Sequence, residues 1–171
     1  MKKFLLFLSI SFSLSIYSQK IDSLQFSLPE KYNLHLEEKQ ENDKMIMMEY
    51  IPKGQNWDNY DIIVTKVVTK NAASIPLQTF FDNIKKRVQS KTKNLRIKEV
   101  SRNKKGEREY ILFTMEADSY KDSKTTESQV YYFAKGDNDV FMCIAAVKEK
   151  NLPKKFVEEW SKVFLQSQII K

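Results

Sequence analysis

Apolar and polar positions along the chain alternate between two periods. The stretch YNLHLEEKQENDKMIMMEYI predicts two strands joined by a polar turn around Glu41, Asn42 and Asp43. The next run, YDIIVTKVVTK, is β-branched and apolar on parts of both faces, which predicts a strand inside a sheet. The period then changes. Leu77, Phe80, Phe81, Ile84 and Val88 recur at steps of three and four, the stripe of a helix facing a core and ending near Lys91. Ser74 is the candidate N-cap of this helix, and Pro76 falls in its first turn, where a missing amide hydrogen costs nothing. Strand patterns return in NLRIKEVSR, EREYILFTMEA, SQVYYFAK and DVFMCIAAV, with turns at Asn103 to Gly106 and at GDND. Gly136, Asp137 and Asn138 tolerate the positive φ of a tight hairpin. Finally LPKKFVEEWSKVFLQ sets Phe156, Val157, Trp160, Val163 and Phe164 on one helical stripe behind Pro153. Strands, helix, strands, helix with hairpin connections predict an α+β domain, a mostly antiparallel sheet with helices packed on its faces.

The FSLP phrase before a hairpin, a helix containing TFFDNI, a meander and a closing helix of the form FVEEWSKVF together resemble the PsbP-like and DcrB-like small bacterial envelope proteins. The resemblance spans nearly all of the chain after its leader, as a pattern and not as a diagnostic motif. It implies an α/β/α sandwich and a role in binding or assembly, and it assigns no functional residue. Many proteins of that kind are lipid-anchored, whereas no cysteine stands near the end of the leader here.

That leader is MKKFLLFLSISFSLSIYSQ. Lys2 and Lys3 precede an apolar run and then a serine-rich segment, the layout of a secretory signal peptide over residues 1–18. The run is too short and too interrupted to match the ~20 residues that span a bilayer. Residues 19–171 are then expected to form a single domain, periplasmic or secreted, with no transmembrane segment. The net charge of +7 for the whole chain falls to +5 once Lys2 and Lys3 are removed. A single cysteine excludes an intrachain disulfide, so the core alone must hold the fold.

Little in the chain advertises chemistry. Cys143 lies among apolar strand residues with Phe141 and Ala145 on its face, and the local sequence offers no cation or imidazole to lower its pKa; a packed side chain is the expectation. His35 stands alone, short of a zinc ligand set. Glu37/Glu38, Glu107/Glu109 and Glu116/Asp118 sit at strand ends among lysines and read as solvated, and GDND lacks the spacing of a calcium loop. With Gly54, Gly106 and Gly136 as the only glycines, no nucleophile elbow, phosphate loop or dinucleotide fingerprint can be built. No catalytic residue, metal or cofactor is therefore predicted. The aromatic residues Phe80, Phe81, Tyr131, Tyr132, Phe133, Trp160 and Phe164 fit a filled core better than a pocket.

One feature stands out. Lys85, Lys86, Arg87, Lys91, Lys93, Arg96, Lys98, Arg102, Lys104, Lys105 and Arg108 face only Glu99 and Glu107 in the same window, a local charge of +9. Clustered on one end of the fold, such a set steers anionic partners, with an effect that fades as salt rises. An exported chain does not meet nucleic acid, and the window lacks an aromatic platform for single strands. The expected role is a non-enzymatic binding or assembly module recognising an acidic protein or an anionic envelope surface through this basic end. A carrier of a lipid or other apolar ligand is the alternative, and a hydrolase of unrecognised type a more distant one.

Overall fold

The computed structural model describes residues 22–103, 108–121 and 125–170. The leader, Lys104, Lys105 and Glu107 lie outside the described residues. The elements in chain order are β1 (Ser23–Gln25), a 3-10 turn (Glu30–Tyr32), β2 (Leu34–Glu41), β3 (Met45–Pro52), β4 (Ile62–Thr69), α1 (Leu77–Lys91) and β5 (Thr92–Lys93). Then come β6 (Arg96–Asn103), β7 (Tyr110–Glu116), β8 (Ser119–Tyr120), β9 (Ser128–Lys135), β10 (Val140–Val147), α2 (Lys154–Leu165) and β11 (Gln168–Ile170).

Seven of the strands form one antiparallel sheet in the order β2-β3-β4-β10-β9-β7-β6. The central pair β4 and β10 matches Val64 with Ala145 and Lys66 with Cys143, joining segments far apart in the chain. Short ladders pair β1 with β11, so that the first and last described segments meet, and β5 with β8. At the β2–β3 turn, Asn42 Oδ1 accepts the backbone N–H groups of Lys44 and Met45 at 2.8 and 2.9 Å, the side chain standing in for a turn carbonyl. The two outer strands each carry a register shift, between Leu36 and Glu38 in β2 and between Glu99 and Ser101 in β6. Bulges of this kind blunt an edge against pairing with another chain.

Strand alternation separates the core into two clusters. One face contributes Val64, Val68, Leu112, Val130, Tyr132, Phe141, Cys143 and Ala145, which meet Leu24 of β1 and Phe156, Trp160 and Phe164 of α2. The other contributes Ile111, Phe113, Met115, Tyr131 and Phe133, which meet Leu77 and the α1 stripe. Phe81 abuts Phe113 edge-on at 4.8 Å, and Phe164 stacks on Tyr132 at 5.8 Å. The aromatic residues thus fill the interior.

The expected α+β reading, an α/β/α sandwich with helices covering the sheet, is overturned. Among the described residues strand accounts for 46% and helix for 21%, and a lone helix against each face is too little to cover a seven-stranded sheet as a layer. Both approach the sheet chiefly at β9. The physical reason is the source of the core: most buried apolar residues lie on strands, while α1 fully buries only Leu77. Two local expectations also fail. Ser74 does not cap α1, whose N-cap is Pro76 with no side-chain hydrogen bond. None of Gly136, Asp137 and Asn138 has a positive φ. Gly136 is needed for space instead, because a Cβ there would strike the buried Asp22 carboxylate, which accepts the Asn138 N–H.

Candidate functional site

The eleven cations of the basic window divide into two kinds once placed in the fold. Three arginines are committed to the protein itself. Arg108 donates to Ser167 O, to Ser167 Oγ at 3.2 Å and to Leu165 O at 3.2 Å, satisfying carbonyls left open where α2 ends. Arg96 holds Asp118 Oδ1 at 2.8 Å and Asn151 Oδ1 at 3.2 Å, with Glu116 Oε2 at 3.6 Å. Arg102 grips Glu99 Oε2 at 2.7 Å and Gln78 Oε1 at 2.9 Å, tying β6 to the start of α1. These groups are bolts between elements.

Six others, Lys85, Lys86, Arg87, Lys91, Lys93 and Lys98, are exposed and form no ion pair with a described residue. Helical periodicity explains the first four: α1 turns Leu77, Phe81, Ile84 and Val88 inward, which leaves Lys85, Lys86, Arg87 and Lys91 on its flanks and outer surface. Lys91 in the last turn also complements the helix dipole. Lys104 and Lys105 lie outside the described residues.

One of the free cations, Lys85, lines a concavity. Between the C-terminal half of α1 and the β5–β6 segment lies a groove of about 580 Å³ lined by Lys85, Gln89, Thr92, Asn94, Leu95 and Ile97. Asn94, in the left-handed conformation at φ 53°, turns the chain from β5 into β6 and donates to Asp118 Oδ2 at 2.8 Å. On the opposite face of β6 a second groove of about 540 Å³ runs to α2, with Val100, Leu152 and Val157 among its apolar walls and Lys98 and Lys154 among its charges. The outer strand β6 is therefore flanked by a depression on each side. Sequence reasoning found the cations but not the grooves; the walls of the second come from β6, β7 and the α2 segment, remote from one another in the chain.

The remaining candidates are occupied by local partners. His35 Nδ1 lies 3.0 Å from Ile51 O and Nε2 3.0 Å from Glu37 Oε2. Glu109 pairs with Lys135 at 2.9 Å, and Glu116 accepts the Leu152 N–H at 2.6 Å. Hydrogen bonds from Asn94, Arg96 and Lys150 hold the Asp118 carboxyl well below the usual carboxylate range. Cys143 is fully buried, and burial pushes its thiol up to about 12, so it is inert as a nucleophile at neutral pH. Among the described residues no group of three or more His, Cys, Asp or Glu side chains is placed to hold a metal ion. No described helix is long and apolar enough to cross a membrane.

No family model and no curated protein matches this chain. The PsbP-like and DcrB-like resemblance accordingly rests on sequence pattern alone.

Proposed function

We propose that this protein is a non-enzymatic binding module that takes an acidic segment of a partner protein against the α1–β6 side of its sheet. The observation that carries this reading is the set of exposed cations without an ion pair to a described residue, Lys85, Lys86, Arg87, Lys91 and Lys93, on α1 and β5, of which Lys85 lines a groove that reaches β6 at Ile97. A concave, polar, cationic surface complements an extended acidic chain, whose carboxylates can follow the groove where a flat lipid surface cannot. The leader-like first 18 residues support an action in the periplasm or outside the cell.

The test is binding of a fluorescent glutamate-rich peptide to the purified protein at low and at physiological salt, beside a variant carrying Lys85→Gln, Lys86→Gln, Lys91→Gln and Lys93→Gln. The wild type should bind saturably, more weakly as salt rises, and the variant should lose about tenfold or more in affinity. Equal binding by the two proteins would sink the proposal. So would preferential binding to vesicles rich in phosphatidylglycerol with none to the peptide, an outcome that assigns the surface to anionic lipid.

A further inference from the structure

The interior strand β4 carries a lysine where the fold has no place for one. Alternation puts Lys66 on the same face as Ile62, Val64 and Val68, all core residues, and antiparallel pairing sets it opposite Cys143 of β10 and Met48 of β3. Its ammonium donates to the carbonyl oxygen of Leu24 in β1. An ammonium has three hydrogens to give, so two remain. No carboxylate among the described residues pairs with it. Cys143, opposite it in the ladder, is neutral, and burial pushes the Lys66 pKa down.

Beside this ammonium the structure leaves space. A cavity of about 240 Å³ lies between the β1 segment and the sheet, lined by Leu24, Gln25, Phe26, Leu28, Tyr50 and Lys66. Leu24, Phe26 and Leu28 give its walls their apolar part, and Gln25, Tyr50 and Lys66 the rest. A cation half-removed from water, with donors to spare and no counter-charge, is stabilised by any anion that reaches it, and apolar walls favour an anion that carries a hydrocarbon body. The volume matches about eight water molecules at ~30 Å³ each, too small for a drug-sized ligand or a two-chain lipid.

We infer that this niche binds a small amphiphilic anion, a medium-chain carboxylate whose head sits on Lys66 Nζ and whose chain lies against Leu24, Phe26, Leu28 and Tyr50. The site is independent of the basic groove. Lys66 stands four strands away from β6, roughly 19 Å across the sheet. The ligand also bridges β1 and the sheet, so its binding tightens the attachment of the first described segment.

Octanoate is the probe, with octanol and octylammonium as controls of equal chain length, titrated into the full-length delipidated protein by calorimetry and by thermal melting. Octanoate should bind saturably and raise the melting temperature, octanol should do so weakly, and octylammonium not at all. Lys66→Met keeps the length of the side chain and removes the charge; it should weaken octanoate binding by about tenfold or more while leaving the response to octanol unchanged. Should that variant fail to fold, side-chain ammonium resonances of ¹⁵N-lysine-labelled wild type give the same answer, because octanoate should move the Lys66 signal and octanol should not. No saturable octanoate binding, equal responses to octanoate and octanol, or an unmoved Lys66 resonance would each overturn the inference.

Discussion

The two outer strands of the sheet lie six strand spacings apart, roughly 29 Å, and carry opposite charge. The β2–β3 hairpin, residues 34–52, holds Glu37, Glu38, Glu41, Asp43 and Glu49 against Lys39 and Lys44, a net −3. Residues 77–103, from α1 to β6, hold eight cations against Asp82 and Glu99, a net +6. Both strands are bulged, so neither invites simple edge pairing. They differ in what surrounds the charge. Glu41 is held by Lys39 at 2.9 Å and Lys70 at 3.0 Å, and Glu37 meets His35, so the acidic edge satisfies much of its charge locally. The basic edge leaves Lys85, Lys86, Arg87, Lys91, Lys93 and Lys98 exposed without an ion pair to a described residue and commits Arg96 and Arg102 to the fold. A charge count identifies a polar molecule; only the division between engaged and free groups identifies a surface with something left to bind.

The largest expected effect tests that division directly. Arg108→Gln removes a cation that serves carbonyl and hydroxyl acceptors at the end of α2, and hydrogen bonds from charged donors are each worth about 1.5–3 kcal/mol. A loss of about 2–3 kcal/mol is expected in urea melts. Lys86→Gln, from the same window, should stay within about 0.5 kcal/mol of wild type. If the two substitutions cost the same, the separation of structural from free cations is wrong.

That separation was not legible in the sequence, and the reason is distance along the chain. Arg108 meets Ser167, Arg96 meets Asp118 and Asn151, and Arg102 meets Gln78, contacts that no local pattern announces. Elements governed by local periodicity were legible. The Pro76 and Pro153 starts and the stripes behind them give α1 and α2 closely, and SQVYYFAK is β9 to the residue. The β4–β10 and β1–β11 pairings were not, because register between remote strands depends on which faces must be buried together. Nor was the share of the core supplied by strands, which is why a sandwich was expected where one broad sheet forms. Lys66 was within reach: counting alternate positions from Val64 to Val68 places it among core residues.

Acid titration should separate the two edges by sign. On the basic side the folded pKa of Asp118 is depressed, so its contribution is complete above the unfolded value, about 4, and is lost as pH falls toward the folded one. Asp118→Asn should therefore lower stability at pH 7 and flatten the loss below about pH 4. On the acidic side Glu49 is raised by burial, with Glu38 directly opposite it in β2. Its charged form is disfavoured in the folded state, so the folded protein gains as pH falls through the raised value toward the unfolded one. Glu49→Gln should stabilise at pH 7, by about 0.5 kcal/mol at most since the group is partly solvated. Equal slopes for the two variants between pH 3 and pH 7 would mean that the carboxylates do not differ in environment.

The smallest effect concerns action at a distance. If the acidic segment of a partner docks on the α1–β6 side, the carboxylates of β2 repel it only through ~29 Å of sheet and solvent, more than three Debye lengths at about 0.15 M salt. The double change Glu37→Gln with Glu38→Gln should then alter affinity for the glutamate-rich peptide by less than about twofold at that salt. At about 0.01 M the screening length grows to ~30 Å, and the same variant should bind the peptide more tightly than wild type. Fluorescence titration at the two salt concentrations checks both halves. A large change at physiological salt would place the peptide near β2 after all, because screened charges on the far edge have no other way to reach it.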